Sequence, residues 1–162
     1  MPVKNLTADV RVYNNDAKVG ATAGWTVRDA TDKGTLGLLP QSQTSSTLVV
    51  PITGLKVGDT IESYYIVGQL ESAGGDVTLV ANLRKLTAAA ADNTDASVAT
   101  VTLAHTAAND LILDSSTFVK TGLVEEVAEG ETFYMLITGT TAASTDVALM
   151  AVAVSVRSVY HK

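Results

Sequence analysis

Leu55-Lys56-Val57-Gly58-Asp59-Thr60-Ile61 and Val127-Ala128-Glu129-Gly130-Glu131-Thr132-Phe133 decide the fold. In each, glycine followed by an acid forms a turn, and the residues after it launch a strand. Each strand runs through small residues into a second strand. The connecting stretch is Ser72-Ala73-Gly74-Gly75-Asp76 in one copy and Thr141-Ala142-Ala143-Ser144-Thr145 in the other. The echo is offset by 72 positions, from Thr60 to Thr132. It predicts two similar β-hairpin units. Two related halves are natural in an all-β, antiparallel β-sandwich of jelly-roll type, in which two packed sheets close over one core.

The flanking sequence agrees. Val77, Leu79, Ala81 and Leu83 alternate with Thr78, Asn82 and Arg84, the period of a half-buried strand. Thr60 to Leu70 is a long strand with Ile61, Ser63, Tyr65 and Val67 on one face and Glu62, Tyr64 and Ile66 on the other. Both faces carry aromatics, so one is expected to meet a partner. In the last strand Met150, Val152, Val154 and Val156 form a bulky face, and Leu149, Ala151, Ala153 and Ser155 a smaller one. Neither face is charged, which predicts a strand central in its sheet or covered by a neighbouring subunit. Pro51 in Thr47 to Ile52 cannot donate to a ladder and marks an edge strand or a strand end. Thr87 to Asp95 reads as a loop, Ser97 to Ala104 and Leu111 to Leu113 as strands, and Thr117 to Lys120 and Leu123-Val124 as weaker strands. No segment keeps a helical period over ten residues or more, and strands recur at sandwich spacing. The expected organisation is an N-terminal arm or edge strand over 1–15 and a single β-sandwich domain over 16–162.

The 162 residues suffice for one domain with its own core, needing no metal or disulfide to fold. Cysteine is absent, which excludes a disulfide framework, a thiolate zinc site and a cysteine nucleophile. Charged residues make up 17%, against roughly 25% in ordinary soluble domains, and Thr, Ser, Ala and Gly fill the difference. Such groups cost little to desolvate, so the surface suits a protein packed against copies or partners. Net charge is −6, and Arg84-Lys85 is the only adjacent basic pair, which argues against direct nucleic-acid binding. An acidic body can still dock on a basic protein surface. Met1-Pro2-Val3-Lys4-Asn5 has no apolar stretch, so no signal peptide is expected, and no run approaches the ~20 apolar residues of a membrane span.

Catalytic signals are weak. His105 and His161 have neither a second histidine nor a carboxylate at a metal-binding interval, and no Gly-x-Ser-x-Gly elbow supports a serine triad. Glu125, Glu126, Glu129 and Glu131 cluster before a strand. Paired acids hydrolyse glycosides when one is buried and protonated, and calcium needs six to eight oxygens. These acids read instead as a solvated loop, with Asp92 and Asp95 weaker still as calcium ligands. Asp59 and Asp76 are explained by turn formation. No phosphate-cradling glycine motif is present and no cofactor is expected. Trp25 and the tyrosines could stack a sugar, but aromatics are only 5% and most fall in strands, which favours core and interface packing. The expectation is a protein that is not an enzyme.

Val50-Pro51-Ile52-Thr53-Gly54-Leu55-Lys56-Val57-Gly58-Asp59-Thr60, Val77 to Leu86, and Ala128-Glu129-Gly130-Glu131-Thr132-Phe133-Tyr134 with its following hairpin resemble capsid decoration (cement) proteins of tailed bacteriophages, many of which are small β-sandwich or jelly-roll subunits. These stretches span about two-thirds of the chain. The resemblance implies a non-catalytic protein made in the host cytoplasm that binds the major capsid protein on the outside of the shell, often as a homotrimer, and clamps neighbouring subunits. No binding residue carries over from it. Candidate interface residues from this chain's own pattern are Val3, Leu6, Val10 and Val12 in the N-terminal segment, Tyr64, Ile66 and Leu149 on the two-faced strands, and Val159. The alternatives are a carbohydrate- or receptor-binding β-sandwich module of a phage fibre, or another minor head or tail component.

Overall fold

The computed structural model of the protein describes residues 3–7, 24–26 and 37–158, with backbone alone for 3–7. Eleven strands follow in order: β1 Val3–Thr7, β2 Gly37–Leu39, β3 Ser46–Ile52, β4 Thr60–Ser72, β5 Val77–Thr87, β6 Thr94–His105, β7 Leu111–Leu113, β8 Val119–Lys120, β9 Glu125–Glu126, β10 Glu131–Thr141 and β11 Thr145–Arg157. No helix occurs among the described residues. One sheet has seven strands along the path β1-β11-β4-β7, with β2 added to β11 and β8 and β9 added to β4. The other has four, in the order β3-β10-β5-β6. Every pairing is antiparallel. The fold is an all-β sandwich, and β3 with Pro51 lies at an edge, as its sequence predicts.

The two repeated units are not hairpins. β4 and β5 lie in different sheets, and so do β10 and β11. Each strand pairs with a strand of the other unit, β4 with β11 and β5 with β10. The chain is therefore one long two-stranded ribbon folded across its middle. Its ladder begins at Thr60 with Arg157 and reaches Ser72 with Thr145. At the fold Ala73 N–H donates to Ser144 O at 3.0 Å and Ala142 N–H to Asp76 O at 3.0 Å. The ladder then resumes at Val77 with Thr141 and ends at Thr87 with Glu131. This is the jelly-roll principle, and it puts the two arms of the ribbon face to face. The bend admits only glycine at position 75: a Cβ there would stand 2.7 Å from the carbonyl oxygen of Ala143.

The echoed turns are equivalent in detail. Asp59 N–H bonds Lys56 O at 2.9 Å, and Glu131 N–H bonds Ala128 O at 3.3 Å. Gly58 and Gly130, third in each turn, have φ of 87° and 80°, as a type II turn requires. The acid that follows folds back on the turn: Asp59 Oδ2 accepts from Lys56 N–H at 2.9 Å and Glu131 Oε2 from Ala128 N–H at 2.8 Å. The turns also bond across, Gly58 N–H to Val127 O at 2.9 Å and Val127 N–H to Asp59 O at 2.8 Å.

Two bulges decide which side chains enter the core. On β4 the register steps between Ile61 and Ser63, so Ile61 and then Tyr64, Ile66 and Leu70 all point inward. On β11 it steps at Met150, so Leu149 and Val152 both point inward while Met150 stands 47% exposed. An extra residue in one strand exchanges the two faces beyond it. Strict alternation therefore misassigns both strands: Tyr64, Ile66 and Leu149, expected to meet a partner, are buried in the chain's own core. The expectation that β11 is central holds, since it lies between β4 on one side and β1 and β2 on the other.

The core is one cluster drawn from both sheets, including Leu48, Val50, Leu79, Leu83, Met135 and Ile137 from one and Ile61, Ile66, Val152 and Val154 from the other. Trp25 is buried and donates its indole N–H to Ser46 O at 3.1 Å. It is held there by paired bonds of 2.8 and 2.9 Å between the backbones of Thr26 and Leu38.

Candidate functional site

The titratable groups are mostly committed to the scaffold. Alternation on β5 sends the adjacent residues Arg84 and Lys85 to opposite faces. Lys85 sits where the sheets meet, its Nζ 2.6 Å from Glu125 Oε1 and 3.0 Å from Glu131 Oε1, so it ties β9 of one sheet to β5 and β10 of the other. The hydrogen bond from Ala128 N–H, followed by Lys85, holds the Glu131 carboxyl below its ordinary range. Hydrogen bonds to Glu125 and Glu131 push the Lys85 ammonium up. A glycosidase acid needs the reverse shift, a carboxyl kept protonated. The solvated-loop reading thus describes Glu126 and Glu129, which are exposed, while Glu125 and Glu131 are ion-paired struts.

Arg84 emerges on the outer face opposite Tyr134 of β10. Its Nε donates to Asp95 Oδ1 at 3.0 Å and to the Tyr134 hydroxyl oxygen at 3.0 Å, while that hydroxyl donates to Asp95 Oδ2 at 2.9 Å. The Arg84 bond holds the Asp95 carboxyl below its usual range. An open groove beside this cluster is lined by Val49, Pro51, Leu86, Thr132 and Tyr134. The sequence signal for the cluster was the parity of three strands, which brings Arg84, Asp95 and Tyr134 together only once β5 is known to lie between β6 and β10.

His105 is half-buried, and its Nε2 lies 2.8 Å from Asn109 O, within the β6–β7 turn. Asp114 caps its own turn, accepting from Ser116 N–H at 2.7 Å and Thr117 N–H at 3.0 Å. Among the described residues no group of three or more His, Cys, Asp or Glu could hold a metal ion. His161, with Val10, Val12 and Val159 of the expected interface, lies outside the described residues. Val3 and Leu6 fall on β1, whose backbone pairs with β11 in the register Val3 to Arg157 and Leu6 to Val154.

What remains for recognition is the sandwich exterior. The outer face of the seven-stranded sheet presents Tyr65, Val67, Ala148, Ala151 and Ala153, all half-buried, beside exposed Met150. Ile112 and Val124 stand 60% and 85% exposed along the border formed by β7 to β9. In the four-stranded sheet β6 has β5 on one side and, among the described residues, no strand on the other.

No family model matches the chain, and no curated protein does. Among solved structures it is similar to the CBM22-1–GH10 modules of Clostridium thermocellum endo-1,4-β-D-xylanase 10B, complexed with xylohexaose, at 14% identity and a TM-score of 0.46. That match covers 99% of this chain and 27% of the other. It is also similar to the enzymatically active domain of bacteriophage CBA120 tailspike protein 4, at 11% identity and a TM-score of 0.34, over 94% of this chain and 19% of the other. The chain thus spans less than a third of either protein. Likenesses this distant assign no activity, and the sandwich stands on the ladders described above.

Proposed function

We propose that this chain is a non-enzymatic structural subunit of a bacteriophage virion, a decoration protein that binds the major capsid protein on the outer surface of the head and stabilises it. One observation carries the reading: the exterior is built of β-surface poor in charge, with small and apolar side chains on the outer sheet face and on β6, while Glu125, Glu131 and Asp59 are tied into ion pairs and turns. Such a surface adheres through shape and apolar area. A standard interface buries ~800 Å² per partner. Several copies joined into one oligomer multiply weak contacts through effective concentration. The test is co-sedimentation of the purified protein with undecorated capsids, followed by the temperature at which decorated and bare heads release DNA. Saturable binding and a raised release temperature are expected; a protein that stays in the supernatant refutes the reading.

A second reading is a carbohydrate-binding module, favoured by the half-buried Tyr134 and Arg84 with exposed Asp95 beside the Pro51–Leu86 groove. Sugars are recognised by an aromatic face combined with charged hydrogen-bond partners. A glycan array decides it: specific signals abolished by Tyr134→Ala would favour this reading over the capsid.

A further inference from the structure

We infer that two copies of this chain join edge to edge through β6, in an antiparallel pair centred on Thr102, to make one continuous eight-stranded sheet. The inference stands apart from the capsid reading and is tested on the purified protein alone.

An edge strand presents a row of backbone N–H and C=O groups to solvent, and folded proteins guard such rows with proline, charge or a bulge. The four-stranded sheet guards its β3 edge and only the first part of its β6 edge. β3 there is short and carries Pro51. The opposite edge is β6, 12 residues long, with a register step opposite Leu83 and Arg84 that sets Val98 outside the pairing. Beyond that step β6 runs regularly from Ala99 to His105. Ala99-Thr100-Val101-Thr102-Leu103-Ala104 contains neither proline nor a charged residue. Among the described residues no strand pairs with the outer side of this stretch, which alone spans roughly 20 Å of ladder.

Three features choose a second copy as the occupant. The chain carries a net charge of −6, so two copies approach most easily along a surface without charge, and this edge is one. Asp95, the acid near its start, is already neutralised by Arg84. The stretch is also self-complementary. Directly opposed residues of an antiparallel pair share a face. With Thr102 on the two-fold axis, Val101 of one copy faces Leu103 of the other on the core side, and Thr100 faces Ala104 on the outer side. Val101 and Leu103 are half-buried and pack against the margin of the core, so the pairing covers their remaining apolar surface. The contact is isologous and closes on itself, as a two-fold dimer requires. The contact is a single pair of strands, so a weak, concentration-dependent dimer is expected.

Sedimentation velocity from the micromolar to the millimolar range tests the proposal, together with three variants at two exposed positions. Wild type is expected to pass from monomer to dimer. Thr102→Lys sets two like charges face to face on the axis and should weaken the dimer by up to about fivefold, with an unchanged thermal melt. Thr102→Cys supplies the only thiol in the chain and places it against its own symmetry mate, close enough for a disulfide. Mild oxidation should cross-link it much faster than Met150→Cys, which lies on the other sheet. A wild type that stays monomeric throughout, an oligomer indifferent to Thr102→Lys, or equal cross-linking at 102 and 150 would each overturn the inference. Capsid binding by a strictly monomeric protein would leave the functional reading intact while refuting this one.

Discussion

The hydroxyl of Tyr64, on β4 of one sheet, reaches across the core to the carbonyl oxygen of Ala81 on β5 of the other at 2.9 Å, with the carbonyl of Ala99 on β6 at 3.0 Å. A wholly buried phenol thus spans the gap between the two layers inside the apolar core. Tyr64→Phe keeps the ring and removes the one hydroxyl hydrogen that the two carbonyls share, for an expected loss of about 1–2 kcal/mol in urea unfolding. Burial also pushes the Tyr64 hydroxyl up from 10.0 to about 12. A folded-state value above the unfolded one gives stability that is complete below pH 10.0 and is lost as pH climbs through about 12. Wild type should therefore lose more stability than Tyr64→Phe over that interval, and parallel alkaline profiles would refute the assignment.

The bulge on β11 makes neighbours unequal. Leu149 is 2% exposed and Met150 is 47% exposed. Leu149→Asp buries an unpaired carboxylate and should cost more than about 4 kcal/mol, leaving the chain unfolded by circular dichroism. Met150→Asp should fall within about 0.5 kcal/mol of wild type. Equal effects would show that the two residues do not lie on opposite faces.

The Lys85 strut predicts an acid limb. Glu131 has a lowered folded value, so its contribution is present above the ordinary 4.5 and disappears as pH falls through the depressed value. Lys85 behaves oppositely: its contribution is present below 10.5 and lost as pH rises through its raised value. Both groups are partly hydrated, so Glu131→Gln should cost no more than about 1 kcal/mol at neutrality. The variant should also lose less stability than wild type on acidification, read by urea titrations at about pH 7 and pH 3. Identical acid slopes would exclude the strut.

Asp59 is buried with its Oδ2 on Lys56 N–H, and Val127 N–H rests on its carbonyl. Asp59→Ala leaves the Lys56 amide without its partner and should cost about 1–2 kcal/mol, with Asp59→Asn recovering part of the loss. Hydrogen exchange at Lys56 should accelerate more than at Val127, whose bond is made to backbone. Uniform acceleration at both would mean that the two turns open together.

Much of this architecture can be read from local signals. The Gly58-Asp59 and Gly130-Glu131 echo predicts two turns that prove equivalent down to the acid bonding back on the turn. Strict alternation on β5 assigns Val77, Leu79, Ala81 and Leu83 to the core without error. The failures are equally specific. Parity cannot reveal a bulge, because an extra residue at Glu62 or Met150 leaves composition unchanged while exchanging the faces beyond it. Sequence adjacency suggests that β4 pairs with β5, whereas the ribbon pairs each with a strand of the other unit, a choice made by long-range burial. The weak strand at Leu123-Val124 lies two residues early: β9 is Glu125–Glu126, and Val124 is exposed. Lys85 bridging Glu125 and Glu131 needs both sheets in place and has no local signature.

The folded ribbon sets the order in which this protein can be made. β4 leaves the ribosome long before β11, yet β11 is its principal partner and occupies the middle of the seven-stranded sheet. Until residue 157 is free, β4 has only the short strands β7, β8 and β9 for company. Closure of the seven-stranded sheet must therefore wait for β11, with the slow, millisecond-to-second pairing of strands distant in sequence. In that interval Ile61, Tyr64 and Ile66, buried in the finished fold, lack their cover, and a chain caught there is open to aggregation.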